Sequence, residues 1–253
     1  MIIIKSQAEI ELMREGGKIL AMVMNEMGKI ITPGVNTLEL DNLAEKIILS
    51  SGGIPAFKGY GDKRNPFPAT VCTSINNEIV HGVPRKDQIV QEGDLVKLDI
   101  GIKYKGMITD MARTFPAGMI SVEAQKLMDT TRECLDEGIK VIKAGAKLSD
   151  YSKAVERYVK SRGFSVVRDL VGHGVGKKLH EDPYIPNYYA KTREIIFKEG
   201  MTLALEPMIN VGTHYIKLLN DGWTYATKDG KLSAHFEDTI VVTKDGTEIL
   251  TRI

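Results

Sequence analysis

Leu95-Val96-Lys97-Leu98-Asp99-Ile100-Gly101-Ile102, joined through Lys103-Tyr104-Lys105-Gly106 to Met107-Ile108-Thr109-Asp110-Met111-Ala112-Arg113-Thr114-Phe115, reads as two strands and a tight turn. Val96, Leu98, Ile100 and Ile102 alternate onto one face of the first strand, so Asp99 projects from the other. A turn centred between Tyr104 and Lys105 sets Asp99 directly opposite Asp110 in the partner strand. Opposed side chains of an antiparallel pair have Cβ atoms about 4.5 to 5.5 Å apart, where like charges destabilise the sheet. A shared proton relieves the repulsion, and so does a bound divalent cation, which leaves both carboxylates ionised. A register one residue different sends the two acids to opposite faces, each simply solvated.

Outward from this hairpin the pattern alternates between helices and strands. Ser6-Gln7-Ala8-Glu9 is a capping box, and Ile10, Met13, Gly17, Leu20 and Met24 follow at helical spacing until Thr32-Pro33-Gly34. Thr37 is placed to cap a second helix through about Leu49, closed by Ser51-Gly52-Gly53. Residues 54–70 carry prolines, glycines and aromatics and read as a structured loop, and Val71 to Ser74 reads as a strand. Helical periodicity returns over Val122 to Lys143 and Ser149 to Arg162, with Gly163 as a stop. Further strands are expected near Phe164 to Arg168, Met201 to Val211, Tyr215 to Leu219 and Phe236 to Val242. The order helix, helix, strands, helix, helix, strands suggests two similar halves in one domain spanning 1–253.

Composition narrows the classes. Hydrophobic residues at 43% and charged residues at 26% suit a soluble domain with a sizeable core. A formal charge of +1 offers no basic excess for a phosphate backbone, so nucleic acid is not an expected partner. Two cysteines, Cys72 and Cys134, cannot build a disulfide framework, which points to a reducing compartment such as the cytoplasm. The apolar run at the N-terminus is too short for a signal peptide and no stretch is long enough to span a bilayer, so no membrane association is expected.

The remaining chemistry-bearing residues sit in unusual surroundings. Glu206 in Met201-Thr202-Leu203-Ala204-Leu205-Glu206 and Glu237 in Phe236-Glu237-Asp238-Thr239-Ile240 are acids inside apolar strand runs, where an unpaired carboxylate loses several kcal/mol of hydration. Pairing with Arg or Lys accounts for either alone; both of them, with the two aspartates, are harder to explain by separate ion pairs. His173 lies between glycines in Gly172-His173-Gly174, where the backbone can approach a ligand closely. His180-Glu181 is no zincin helix, since Tyr184 holds the position of the second histidine, and glycines 172, 174 and 176 miss both the dinucleotide and phosphate-loop patterns. No nucleophile elbow or catalytic cysteine signature occurs.

Assembled, these residues resemble the methionine aminopeptidases of type I. The likeness is carried by Asn77 to Pro84 (NEIVHGVP), Asp94 to Asp99 (DLVKLD), Asp110, Gly172 to Pro183 (GHGVGKKLHEDP), Leu205-Glu206-Pro207 and Phe236-Glu237, over nearly the whole chain. The resemblance implies the pseudo-two-fold α/β pita-bread fold, a curved antiparallel sheet covered by helices. It also implies two divalent ions, of Co, Mn, Fe or Zn, held by Asp99, Asp110, His173, Glu206 and Glu237, with His81 and His180 beside the substrate and Glu206 as proton acceptor. Tyr60, Phe67, Cys72 and Trp223 are candidate walls for a methionine side chain.

The implied activity is hydrolytic removal of N-terminal methionine from nascent polypeptides by a monomer, with the ribosome a natural place for it although no charge patch argues for docking there. The short interval between His180 and Glu206 leaves no room for the helical insertion of the type II class. Two departures stand out: a long loop at residues 58–68, and Asp238 after Glu237, where methionine aminopeptidases usually carry histidine. Glu-Asp resembles the Xaa-Pro aminopeptidases and prolidases, which makes an Xaa-Pro peptidase the rival reading and a non-catalytic peptide-binding relative the next.

Overall fold

A computed structural model describes residues 2–191 and 194–253. Helix α1 (Gln7–Lys29) starts as the sequence predicts, with Ser6 accepting from the Glu9 amide and Glu9 reaching back to the Ser6 amide. Its buried stripe contains Ile10, Met13, Gly17, Leu20 and Met24. Gly17 is required there by proximity, because a Cβ would stand 2.1 Å from the carbonyl oxygen of Leu250. Helix α2 (Thr37–Ser50) is capped by Asn36 rather than Thr37. Thr37 is the first helical residue, and its hydroxyl is engaged with the backbone of Arg85 instead. Helix α3 (Val122–Lys140) ends three residues short of the expected Lys143, and α4 (Leu148–Ser161) is closed by Gly163 at φ 88°. No helix among the described residues is long and apolar enough to cross a membrane.

The hairpin departs from the expected register. Lys105 and Gly106, with φ of 47° and 90°, form its two central turn residues, the positive-φ pair that matches the twist of the flanking strands. Leu95–Tyr104 and Met107–Pro116 therefore pair with Asp99 opposite Ala112 and Asp110 opposite Gly101. The aspartates are diagonal neighbours rather than directly opposed. Because the error is two residues and the side-chain period is two, both still face the same side of the sheet.

The hairpin belongs to a nine-stranded sheet ordered Ile54–Pro55, Leu95–Tyr104, Met107–Pro116, Glu237–Val242, Thr202–Leu205, Gly172–Gly174, Glu181–Ile185. Val71–Ile75 adds to Leu95–Tyr104, and Thr247–Ile249 to Glu237–Val242. All these pairings are antiparallel. The expected strand Met201 to Val211 is broken in two, Thr202–Leu205 and Met208–Asn210, because Pro207 has no N–H to continue the ladder and Glu206 leaves the sheet there. The strand expected over Phe164 to Arg168 shrinks to Ser165–Val166.

Two halves are visible in the packing. Val96, Leu98, Ile100 and Ile102 join Leu20, Met24, Leu40 and Ile48 of α1 and α2 in one cluster. Leu127, Leu135, Tyr151 and Val155 of α3 and α4 join Leu203, Leu205 and Ile240 in another. The halves meet where Met107–Pro116 pairs with Glu237–Val242, at Ala112 opposite Glu237 and Met111 opposite Asp238. With the helices packed against one face, Asp99, Asp110 and Glu237 are left on the other, at the seam.

Candidate active site

The seven side chains singled out by the sequence motifs, Asp99, Asp110, Glu206, Glu237, His81, His173 and His180, all line one cavity. Tyr60, Phe67, Cys72 and Trp223 are in its wall, as expected, and Phe57 and Leu179 complete it without having been anticipated. Phe67 and Trp223 stand edge to face with centroids 5.3 Å apart, and Gly61 makes room for the indole, since a Cβ there would lie 2.5 Å from it. The cavity therefore combines an aromatic pair with a group of acids.

Three carboxylate oxygens, Asp99 Oδ1, Asp110 Oδ1 and Glu237 Oε1, are buried with no hydrogen-bond partner among the described residues. Ligand atoms of Asp110, His173 and Glu237 all lie within 4.8 Å of one another. Asp99 and Glu206 stand outside that tight group and line the same cavity. Burial pushes the Asp110 carboxyl up to about 7. Asp99, Glu206 and Glu237 are also raised, by burial first and then by the neighbouring acids. Such a group of carboxylates is stable in its ionised form only beside a compensating cation.

His173 presents the matching nitrogen. Its Nδ1–H donates to the Gly174 carbonyl at 2.9 Å, which leaves the Nε2 lone pair exposed to the cavity, 3.4 Å from Glu206 Oε1. Burial, followed by the nearby His180, lowers its pKa to about 3, so the ring is neutral and able to ligate. The flanking glycines have a different cause from the one expected: a Cβ at Gly172 would meet the Ala204 carbonyl oxygen at 2.5 Å, and one at Gly174 the Asp182 carbonyl oxygen at 2.2 Å. They let neighbouring strands close on His173; the ligand side of the backbone does not require them.

His180 lies with its ring centroid 4.3 Å from that of His173, and its Nδ1 is 2.6 Å from the Tyr60 hydroxyl. With Tyr60 donating, the ring proton resides on Nε2. His81 has φ 59°, a left-handed conformation costly for a non-glycine residue, and burial lowers its pKa to about 4. The Cys72 thiol, paired in register with Asp99, is pushed up by burial and stays protonated, so it contributes a polarisable wall and no nucleophile.

Of three further residues near the site, Thr239 and His235 had little or no sequence signal. Thr239 accepts from the Asp110 amide at 2.9 Å and donates to the Asp110 carbonyl at 2.7 Å, pinning that residue across the seam. His235 is buried with neither ring nitrogen partnered among the described residues, its Nε2 4.0 Å from Glu237 Oε2; its spacing two residues before Glu237 was the available hint. Asp238 points to the opposite face of the sheet, where Arg113, Thr251 and Arg252 all donate to it. The unusual Glu-Asp pair thus does not change the composition of the cavity.

Residues 11–244 match metallopeptidase family M24. The chain is 47% identical to a methionine aminopeptidase of Clostridium acetobutylicum, with 99% of each chain covered. Its structure superposes on that of a methionine aminopeptidase from Thermotoga maritima with a TM-score of 0.96 at 43% identity, covering 100% of both chains. A prolidase from Pyrococcus furiosus gives a TM-score of 0.78 at 23% identity, covering 99% of this chain and 66% of that one, a likeness of fold alone.

Proposed function

The chain belongs to metallopeptidase family M24, and from that premise we propose that it removes N-terminal methionine from polypeptides. The observation that carries this reading is the convergence of buried carboxylate oxygens, without partners among the described residues, and a neutral imidazole in one cavity that is also lined by aromatic side chains. Asp99, Asp110, His173, Glu206 and Glu237 would hold two divalent ions, and a set of oxygens with one nitrogen suits Mn(II), Fe(II), Co(II) or Zn(II). When bound, such ions supply Lewis acidity and make water a nucleophile at neutral pH.

The protein's own groups then have separable tasks. Phe67, Trp223, Tyr60 and Cys72 enclose an unbranched apolar side chain, for which methionine is the natural fit. Glu206, raised by burial and its neighbours, takes the proton of the attacking water and passes it to the departing amine nitrogen as the C–N bond breaks. His180 donates through Nε2–H to the scissile carbonyl as negative charge develops on its oxygen, and His81 donates to the departing amine side. Both imidazoles are neutral at pH 7 because burial lowers their pKa. Nascent chains in the cytoplasm are the substrates this reading entails, and one copy holds every group named.

Release of free methionine from Met-Ala-Ser by metal-stripped protein, titrated with Mn(II), Co(II) and Fe(II), tests the proposal. Activity that returns with metal is the expected result. Cleavage of Xaa-Pro peptides with Met-Ala-Ser left intact would replace it with the rival specificity, and silence on both would leave a binding protein.

A further inference from the structure

We infer that the segment before α1 is a strap that fixes His180, and that Lys5 is a positioning residue for the reaction. This rests on the reading of His180 as a donor to substrate. The turn that carries His180, residues 176–180, joins the strands Gly172–Gly174 and Glu181–Ile185, and beside the backbone bonds of Gly176 to Ile108 and Lys178 it is anchored by one carboxylate. Glu181 Oε1 accepts from the amides of Lys177 and Lys178, at 2.6 and 2.9 Å. The other oxygen, Oε2, is paired with Lys5 Nζ in an ion pair whose side chains are 1% and 2% exposed. Removing one partner from so buried a pair leaves an uncompensated charge, so Lys5 is what allows Glu181 to remain an acceptor for both amides.

The route of the strap is built into the backbone. Lys5 donates its amide to the Gly200 carbonyl at 2.9 Å, and Ile4 bridges to Met201. Gly176 has φ 149°, and a Cβ there would lie 2.3 Å from Lys5 Cε. Gly200 has φ 81°, and a Cβ there would lie 2.8 Å from Ile4 Cγ2. Two glycines thus clear the channel through which residues 4 and 5 pass. A second ion pair, Lys177 Nζ to Glu9 Oε1 at 2.9 Å, ties the same turn to the capping box of α1. The turn is held by the N-terminal segment at two points, one buried and one exposed, while its tip delivers the imidazole to the cavity.

Reaction rates are sensitive to displacements of about 1 Å, which can cost on the order of 100-fold. The test is a double-mutant cycle with Lys5→Met and His180→Ala, read as kcat and KM for Met-Ala-Ser in the metal-loaded protein, with amide hydrogen exchange of the same variants. Lys5→Met is expected to lower kcat about 10- to 100-fold in the parent with KM changed little, and less than about twofold in the His180→Ala background. Amide exchange at Lys177 and Lys178 accelerates while that of Thr202–Leu205 does not. An equal loss of kcat in both backgrounds overturns the inference, since that is what a smaller folded fraction would give. Unchanged exchange at the turn overturns it whether or not the parent cleaves this peptide; a parent inactive on Met-Ala-Ser with accelerated exchange would refute the proposed function and leave the strap standing. Should Lys5→Met fail to fold, Lys177→Ala at the exposed pair is expected to lower kcat about two- to threefold, again only while His180 is present, and no loss there overturns the inference.

Discussion

Glu237 and Asp238 are consecutive acids on one strand, both buried, and the protein treats them in opposite ways. Asp238, on the helix side of the sheet, is 0% exposed and receives Arg113, Arg252 and the Thr251 hydroxyl. Arg252 also reaches Asp136 of α3, so this acid ties the chain's last residues to the second half. Glu237, one residue earlier on the cavity side, has Oε1 without a partner among the described residues and faces Asp110 and Asp99, whose Oδ1 atoms likewise have none there. A fold that surrounds one acid with guanidinium groups and leaves its neighbour among other acids uses the first for cohesion, and on the proposed reading the second is left for a cation.

The largest expected difference comes from neutralising one acid on each side. Asp110→Asn should abolish methionine release, by more than the roughly 10- to 100-fold that loss of an outer-shell partner costs, yet the metal-free variant should unfold no lower than the parent because a repulsion has been removed. Asp238→Asn should do the reverse, lowering stability by about 1–3 kcal/mol, since its guanidinium partners stay within reach of water, while the folded fraction keeps most of its activity. Thermal unfolding and Met-Ala-Ser kinetics on the same samples check both. If Asp238→Asn proved the less active of the two, the contrast between faces would be wrong.

A pH series sharpens the same contrast. The Asp110 carboxyl is raised from an ordinary value of 3.8 to about 7 in the folded protein, chiefly by burial. An acid raised on folding gives its full favourable contribution below its unfolded pKa and loses it as pH rises through the folded one. Metal-free parent should therefore match Asp110→Asn near pH 4 and fall progressively below it up to about pH 7, with no further divergence above. Denaturant unfolding at intervals of pH measures the gap. A gap that instead widened toward acid would mean that Asp110 is paired in the metal-free protein.

Much of the site was legible because its signals are local. Strand alternation, the capping box of α1 and acids inside apolar runs can be read without knowing partners, and the wrong hairpin register was harmless because two residues preserve the face. Less legible was whatever depends on long-range approach. Strands of three residues such as Gly172–Gly174 and Ser233–His235 are too short to show a period. The glycines beside His173 looked like a ligand's clearance and are a neighbouring strand's. Nothing in the sequence joins Lys5 to Glu181 or Thr239 to Asp110, since a hydroxyl or ammonium declares its partner only after the chain has closed. Asp238 looked like a change in the site for the same reason: its two guanidinium partners lie at 113 and 252.

The smallest effect expected on the cavity side belongs to Tyr60. Its hydroxyl is the partner found for His180 Nδ1, at 2.6 Å, whereas His173 uses a backbone carbonyl for the same purpose. A carbonyl can only accept, so the His173 tautomer is fixed by the main chain; a hydroxyl can donate or accept, so the His180 tautomer depends on a side chain that can be changed without disturbing the ligands. Tyr60→Phe keeps the aromatic wall and removes only the O–H. The loss of one such hydrogen bond, about 0.5–1.5 kcal/mol, corresponds to a fall in kcat of roughly 2- to 10-fold, with metal affinity and KM for Met-Ala-Ser nearly unchanged. A rise in KM without a fall in kcat would instead make Tyr60 a wall of the methionine pocket and nothing more, and would shift the task of orienting His180 wholly onto the turn that carries it.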